Sequence, residues 1–176
     1  MTDTSITLSE LNQLPAEQFV KLLGGVFEHS PWVAEQAAVL RPFADINSLH
    51  QAMVECIVAA GPEAQLKLIR AHPELAGKAA VRGELTAESS TEQKGAGLDQ
   101  CTQEEYSRLT ALNQAYREKF GFPFILAVRG HDRQSIIREF QRRLALTPAQ
   151  ETAECLAQIY KIGRFRLDDL VREPSL

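Results

Sequence analysis

The 176-residue sequence predicts an all-α fold, a bundle of about eight helices in a single domain covering residues 1–176. Apolar residues recur three and four positions apart along most of the chain, as on the buried face of a helix. Residues that favour helix starts precede these runs. With 44% hydrophobic residues, the chain is long enough to bury a substantial core. At most one short extended piece is expected.

Four helices are predicted in the first half of the chain from their N-terminal signals, which are Pro15, Ser30 with Pro31, Asn47, and Pro62. The first is expected to run as far as His29, and Gly61 is expected to stop the third. The fourth ends at or before His72, because a residue that precedes a proline is pushed out of the helical region.

Four further helices are predicted in the second half, with starts signalled by Thr86, Thr102, Asp132, and Thr147 with Pro148. The stretch 77–97 around the first of them is polar and glycine-rich, and long loops in compact domains are usually functional. Gly121 is expected to end the second helix. The apolar segment 122–128 is short and contains Pro123, so we expect a buried extended connection. The last helix runs to about Val171.

Composition bounds the class of protein. The net charge of -4 at pH 7 argues against a nucleic-acid partner. No stretch of about 20 apolar residues is available to span a membrane. The first ten residues lack the features of a secretory signal, and Pro174-Ser175-Leu176 differs from the peroxisomal tripeptide, so we expect a cytoplasmic protein. The three cysteines lack metal or redox spacing and are expected to be free, buried or half-buried thiols: Cys56, Cys101 and Cys155.

One of the four histidines is placed differently from the others. His29 and His50 are expected at the surface or at helix ends, and His131 lies in a Gly-His-Asp turn. No histidine spacing typical of a metal site occurs. His72 must leave its helix beside the polar stretch 77–97, where an imidazole could exchange a proton near neutral pH. An equally good alternative is a helix C-terminal residue that favours the helix dipole.

A dense run of hydrogen-bonding side chains follows, made up of Ser89, Ser90, Thr91, Glu92 and Gln93. Such a run could bind a polar heterocycle with urea-like edges. Glu92 could orient a hydroxyl group, and Gln93 could satisfy a carbonyl and an N–H together. In isolation the run is better explained by the alternative that its serines and threonine cap a helix whose first turn carries Glu92.

Arg164 and Arg166 lie at the two borders of the apolar stripe predicted for the last helix, which consists of Leu156, Ile159, Tyr160, Leu167 and Leu170. An arginine at such a border commonly extends along the surface towards solvent. It could instead bind a carboxylate in a pocket, an interaction worth about 1.5–3 kcal/mol. Helical spacing alone does not choose between these roles or between the two arginines.

Five segments together resemble the 2-oxo-4-hydroxy-4-carboxy-5-ureidoimidazoline (OHCU) decarboxylase family. They are Pro31-Trp32, QLKLIRAHPELAGK at 65–78, SSTEQKGAGL at 89–98, LNQAYREKFGFPFILAVRG at 112–130 and QIYKIGRFRL at 158–167. The resemblance covers most of residues 15–170. Each segment alone is weak, but their combination in this order is highly specific.

The resemblance implies an all-helical OHCU decarboxylase-like domain that converts OHCU to S-allantoin in urate catabolism. The catalytic residues it implies are His72 as proton donor, Glu92, and Arg166 as the pocket arginine, with Arg164 as the alternative to Arg166. The implied substrate contacts are Pro73, the Ser89–Gln93 run, and Phe124, Ile125, Leu126, Ala127 and Val128. A homodimer is also implied. Association with the upstream 5-hydroxyisourate hydrolase stays open.

The implied chemistry needs no cofactor or metal, because the imine of the substrate can itself accept the electrons that carbon dioxide leaves behind. His72 would then donate a proton to one face of the ring. Glu92 would hold His72 or the substrate hydroxyl, and Arg166 would bind an anionic part of the substrate.

Two other functions are alternatives. One is a hydrolase of allantoin-like ureides, against which the lack of metal-ligand spacing counts. The other is a helical interaction module without chemistry, which would require an exposed apolar groove that the sequence does not predict.

Overall fold

The computed structural model describes residues 5–173, and it confirms the all-α prediction. Ten α-helices lie in this range: α1 Leu8–Gln13, α2 Ala16–Leu23, α3 Pro31–Ala38, α4 Ile46–Ala60, α5 Pro62–Ala71, α6 Lys78–Val81, α7 Ala87–Gly95, α8 Gln103–Phe120, α9 Arg133–Leu144 and α10 Pro148–Leu170. A 3-10 helix occupies Leu98–Gln100. The C-terminal tripeptide Pro174-Ser175-Leu176 and the first four residues, used above for the expected localisation, lie outside the described residues.

The described residues divide into two compact units. The first unit consists of the residues up to Ala71 together with those from Tyr160 onward, and the second unit is His72–Ile159. The single domain expected from the sequence stays a prediction. No helix within residues 5–173 is both long enough and apolar enough to cross a membrane.

The first unit contains a short parallel pairing of β1, Ile6–Thr7, with β2, Val171–Arg172. Ile6 is in register with Val171, and Thr7 with Arg172. The expectation of at most one extended piece is therefore wrong. Two-residue strands are too short to show the alternation of apolar and polar residues by which a strand is recognised in a sequence.

Several predicted helix starts are confirmed in the second unit. The side chains of Thr86, Thr102 and Asp132 accept the backbone N–H groups of the residues three positions later, and Thr102 forms a full capping box with Glu105. Thr147 likewise accepts the N–H of Gln150 at 3.2 Å. Gly121 ends α8 in the left-handed conformation, with φ of 79°, as expected for a glycine at this position.

Helix boundaries in the first unit needed more correction. The predicted cap Asn47 is wrong, because Asp45 caps α4 by accepting the N–H of Ser48 at 2.6 Å. Helix α2 ends at Leu23 and not at His29, although Val26 and Phe27 stay buried beyond its end. The short helices α1 and α6 were not predicted. A helix of four to six residues contains too few turns for a periodic pattern to be recognised.

Ser30 occupies the position before α3, with Pro31 in the first turn, as predicted. Its hydroxyl, however, donates to the main-chain oxygen of Glu28 at 2.9 Å and makes no cap hydrogen bond. The start of α3 is therefore set by the fixed φ of the proline and by burial of Val33 and Ala34.

Gly163 provides a test of packing in the first unit. A Cβ atom at this position of α10 would lie 2.7 Å from two ring carbons of the buried Phe27. We expect Gly163→Ala to lower the free energy of unfolding by about 1–3 kcal/mol, because the aromatic ring must shift in a dense core. Urea unfolding measures the change. Gly95→Ala is the matched control, since open space surrounds the Cβ position there, and equal stability of the two variants would contradict the prediction.

Candidate active site

His72 is the first residue after α5, and its side chain is buried, with 8% of the residue exposed. The helix ends at Ala71, which confirms the effect predicted for the following proline. His72 begins a short non-helical segment, residues 72–77, that connects to α6; we call it the His72 loop. Burial of an imidazole in a loop distinguishes His72 from a solvent-exposed helix end.

Two buried amide side chains hold the His72 loop. Gln93 donates from Nε2 to the carbonyl of Glu74 at 3.3 Å, and its Oε1 accepts the N–H of Ala76 at 3.0 Å. Asn113 donates from Nδ2 to the carbonyl of Leu75 at 2.9 Å. Three consecutive residues of the loop are thereby fixed from α7 and α8.

The polar run 89–93 lies inside α7 and not at its start. Thr86 is the N-cap, and its hydroxyl oxygen accepts the N–H of Ser89 at 3.2 Å. The alternative in which this run merely caps a helix is therefore wrong. Within the run, Ser89 and Gln93 are buried, Ser90 and Glu92 are partly exposed, and Thr91 is exposed. The amide of Gln93 binds the main chain at both ends, so a contact with substrate, if it occurs, uses only its remaining N–H and lone pair.

The segment 122–128 lies outside any helix or strand, and its five residues from Phe124 to Val128 are buried, as predicted for a buried connection. The carbonyl of Ile125 accepts a hydrogen bond from the Arg143 guanidinium. The N–H of Ala127 donates to Gln158 Oε1 at 3.0 Å. These two hydrogen bonds fix the main chain on either side of Leu126.

A buried polar cluster lies behind this segment, formed by Tyr116, Arg143, Glu151 and Cys155. Arg143 and Glu151 have no exposed surface, and Arg143 Nε donates to Glu151 Oε1 at 2.6 Å. The Tyr116 hydroxyl donates to the same oxygen at 2.5 Å. Burial raises the pKa of Tyr116, and it raises the pKa of Cys155 to about 11. Both groups are therefore protonated at neutral pH, and the only charges in the cluster belong to the ion pair.

This cluster was not predicted, although the sequence contains a signal for it. Arg143 shares the buried face of α9 with Ile136 and Phe140, at spacings of seven and three residues. A charged residue in register with an apolar stripe indicates a buried ion pair when a partner is available. The Arg143 guanidinium also lies 4.3 Å from the centre of the Phe124 ring, so the cluster contacts the segment 122–128.

Helix α8 contacts both the His72 loop and the segment 122–128. Asn113, which binds the loop, and Tyr116, whose ring centre lies 5.3 Å from that of Phe124, are three residues apart on one buried face. Positions i and i+3 of a helix are neighbours on its surface. The second unit thus brings the predicted histidine loop and the predicted substrate-contacting segment to one face of α8.

The two candidate arginines belong to the first unit and differ sharply. Arg166 is buried, with 4% of the residue exposed, and it donates to Glu28 Oε2 at 3.0 Å and to the carbonyl of Gly25 at 2.9 Å. Arg164 is partly exposed and binds Asp168 Oδ1 at 3.0 Å and the side chain of Asn47. Of the two candidates, Arg166 is therefore the one whose guanidinium is buried.

The apolar stripe predicted for α10 needs correction. Leu156, Tyr160 and Leu170 are only partly buried. The buried face of α10 instead includes four residues that are polar or carry a thiol: Glu151, Cys155, Gln158 and Arg166. Arg166 lies on this face and not at its border, because paired polar groups can be buried like apolar ones.

A pocket of about 540 Å³ lies beside the His72 loop in the second unit, lined by Ala76 of that loop and by residues of α6, α7, the 3-10 helix and the start of α8. Ser90 and Gln93 contribute to its wall, but His72 and Glu92 do not. The Cys101 thiol in this wall donates to the carbonyl of Leu98, and burial raises its pKa. The pocket therefore shares Ala76, Ser90 and Gln93 with the candidate residues, whereas His72 and residues 124–128 do not line it.

The remaining histidines and the cysteines mostly agree with expectation. His29 is exposed, and His131 bonds Ser135 Oγ at 2.9 Å within the turn before α9. The surface interpretation of His50 is wrong, because its Nε2 bonds the carbonyl of Tyr160 at 2.8 Å and burial lowers its pKa. The three cysteines are free and buried or half-buried, as predicted. Within residues 5–173, no three His, Cys, Asp or Glu side chains are grouped to hold a metal ion.

The family model described as OHCU decarboxylase matches residues 12–168. A 2-oxo-4-hydroxy-4-carboxy-5-ureidoimidazoline decarboxylase of Haloferax volcanii is 38% identical, over 92% of this chain and 94% of the relative. The enzyme of that name from Mus musculus is 38% identical, over 92% of this chain and 91% of the relative. The uric acid degradation bifunctional protein of Bacillus sp. (strain TB-90) is 45% identical over 94% of this chain, which spans only 32% of that relative.

Solved structures give the same picture of the fold. A crystal structure of (S)-allantoin synthase superposes with a TM-score of 0.75 and 29% identity, covering 94% of this chain and 54% of the other. A crystal structure of OHCU decarboxylase in the presence of (S)-allantoin has a TM-score of 0.63 at 18% identity, covering 86% of this chain and 94% of the other, and supports the fold alone.

Proposed function

The chain belongs to the OHCU decarboxylase family, and on that premise we propose that it decarboxylates OHCU to (S)-allantoin in urate degradation. The observation that carries the proposal is the buried His72, which opens a loop fixed by hydrogen bonds from Gln93 and Asn113. A catalytic acid needs this combination of a titratable group and a fixed position.

The reaction balances without an external electron acceptor. The bond between the ring carbon and its carboxylate breaks, and carbon dioxide leaves. The electron pair forms a C=C bond to the carbon that carries the ureido group, while the pair of the C=N bond moves onto the ring nitrogen, which takes a proton. In the enol so formed, the ureido carbon takes a proton from the donor and the hydroxyl on the neighbouring carbon loses its proton to solvent and becomes a carbonyl, so that one proton is taken up overall. Since the substrate accepts its own electrons, the protein has to bind, orient and deliver a proton to one ring face.

We assign the proton donation to His72. A proton from solvent reprotonates its imidazole after each turnover. Glu92, one turn along α7 from Ser89, orients the imidazole or the substrate hydroxyl. The N–H and C=O of Leu126, between the residues held by Arg143 and Gln158, are assigned to the complementary edge of a ureido group. Pro73 and the remaining residues of 89–93 and 124–128 complete the proposed contacts.

Arg166 is proposed to bind an anionic part of the substrate, with Arg164 as the alternative. The burial of Arg166 favours it, since a charge-assisted hydrogen bond is stronger away from water. A guanidinium bound too tightly to the leaving carboxylate would stabilise the ground state. Arg166 therefore binds chiefly away from that carboxylate, or orients it weakly.

The test of the function uses the purified chain and OHCU generated in solution from 5-hydroxyisourate. We expect carbon dioxide release and an excess of (S)-allantoin by circular dichroism, whereas spontaneous decay gives racemic allantoin. Activity should survive dialysis against a chelator. Release of ammonia in place of carbon dioxide would identify a ureide hydrolase, and a racemic product formed at the spontaneous rate would exclude the proposed activity.

The expected surroundings of the enzyme are part of the same proposal. We propose a cytoplasmic homodimer that binds neither nucleic acid nor membranes. Light scattering on the 19.6 kDa chain measures the number of subunits directly.

A further inference from the structure

We propose that Asn113 is a positioning residue for proton delivery: its amide holds the His72 loop in the geometry from which the imidazole reaches one face of the substrate. This inference rests on the function proposed above. Asn113 itself lies in α8, outside the segments expected to touch substrate, and it acts through the loop.

The hydrogen bonds to the loop are concentrated close to the histidine. Asn113 binds the carbonyl of Leu75 at 2.9 Å, three residues after His72. On either side of that carbonyl, Gln93 binds the carbonyl of Glu74 and the N–H of Ala76. Ala76 has a φ of 51°, a left-handed conformation that costs free energy for a residue with a side chain. Such a conformation persists where surrounding contacts impose it.

Among the described residues, the Asn113 amide is paired at one end only. The residue is 5% exposed, and its Oδ1 has no hydrogen-bond partner in the part of the chain that the structure describes. A buried polar atom without a partner destabilises the fold. A leucine would remove this oxygen, and only the carbonyl of Leu75 would lose a partner. The contribution of Asn113 is therefore the direction that its N–H imposes on the loop.

Proton delivery is sensitive to such direction. The rate of a step between bound groups falls steeply when they are displaced by about an ångström. A loop without the Leu75 hydrogen bond can sample other conformations, in which water protonates the ring carbon from either face. Loss of positioning should therefore lower both the turnover rate and the enantiomeric excess.

The experiment compares Asn113→Leu with the wild-type chain at enzyme concentrations high enough that spontaneous decay is negligible. We expect kcat to fall by about 10- to 100-fold, with a smaller change in KM and a lower enantiomeric excess of (S)-allantoin. Asn113→Asp, which keeps the size but removes the donor, should behave in the same way. Asn113→Asp is the test variant if Asn113→Leu fails to fold.

Asn12→Leu is the matched control. Asn12 in α1 makes the same kind of contact in the first unit, donating to the carbonyl of Phe43 at 2.9 Å and accepting its N–H at 2.9 Å. We expect this variant to lose stability while kcat and enantiomeric excess stay at the wild-type values. A merely structural role for Asn113 would make the two leucine variants alike.

The outcomes separate the two proposals. Wild-type rates and enantiomeric excess in folded Asn113 variants would overturn the positioning role and leave the decarboxylase function standing. A wild-type chain that forms no (S)-allantoin from OHCU would overturn both. A reduced rate with unchanged enantiomeric excess would also overturn the inference, because the proton would still be delivered to one face.

Discussion

Replacement of His72 by asparagine should lower kcat by about 10²- to 10⁴-fold, the range over which a positioned acid contributes. The asparagine amide can fill much of the buried space but has no proton to give at neutral pH. The residual product should approach a racemic mixture. Turnover under enzyme excess, followed by circular dichroism, measures rate and chirality together.

His29→Asn is the matched control for this prediction. His29 has an exposed side chain and a φ of 49°, a conformation that asparagine tolerates well. This variant should keep wild-type rate and stereochemistry. Undiminished formation of the S enantiomer by folded His72→Asn would remove His72 from the mechanism, whatever the effect on KM.

Loss of the carboxylate in Glu151→Leu should lower the free energy of unfolding by about 3–5 kcal/mol, since it leaves the charge of Arg143 buried without its partner. Both residues have no exposed surface, and Tyr116 binds the same carboxylate oxygen. Urea unfolding monitored by circular dichroism measures the loss. Catalysis should weaken as well, because Arg143 holds the carbonyl of Ile125.

The double variant Arg143→Met/Glu151→Leu tests the reason for this loss. It removes both charges at similar volume, so it should be more stable than Glu151→Leu alone. Asp168→Asn, which breaks the exposed pair with Arg164, should cost about 1 kcal/mol or less. Equal losses in Asp168→Asn and Glu151→Leu would show that burial does not govern the strength of the Arg143–Glu151 pair.

Helix starts in the second unit could be predicted because their signals are local. Thr86, Thr102 and Asp132 each bind a backbone N–H three residues away, so a few adjacent residues contain the whole interaction. The cap of α4 was misassigned to Asn47 for a related reason. Asp45 and Asn47 are both good caps, and Asn47 instead binds the distant Arg164.

The buried face of α10 could not be predicted from the sequence. Glu151, Cys155 and Gln158 look like members of a polar surface until their partners are known. Cys155 contacts Arg143, 12 residues away in the sequence, and Tyr116, 39 residues away. Gln158 accepts the N–H of Ala127, 31 residues away. A helical wheel based on hydrophobicity alone therefore predicts a buried face that contains Tyr160 and Leu170, although both residues are only partly buried.

The candidate site shows the same division. The His72-Pro73 pair determines by local sterics that a histidine leaves its helix, and the family pattern assigns it a role. The hydrogen bonds by which the Gln93 and Asn113 amides hold the loop could not be predicted, because they depend on the positions of α7 and α8 beside it.

The helical class, most helix boundaries in the second unit and the family could be predicted from the order of the residues, because they depend on periodicity, on capping within three residues and on ordered motifs. Which polar side chains are buried, and which groups they bind, follows from the folded arrangement. Burial of a charge or an amide is favourable only with a partner, and these partners are brought together by folding and not by their spacing along the chain.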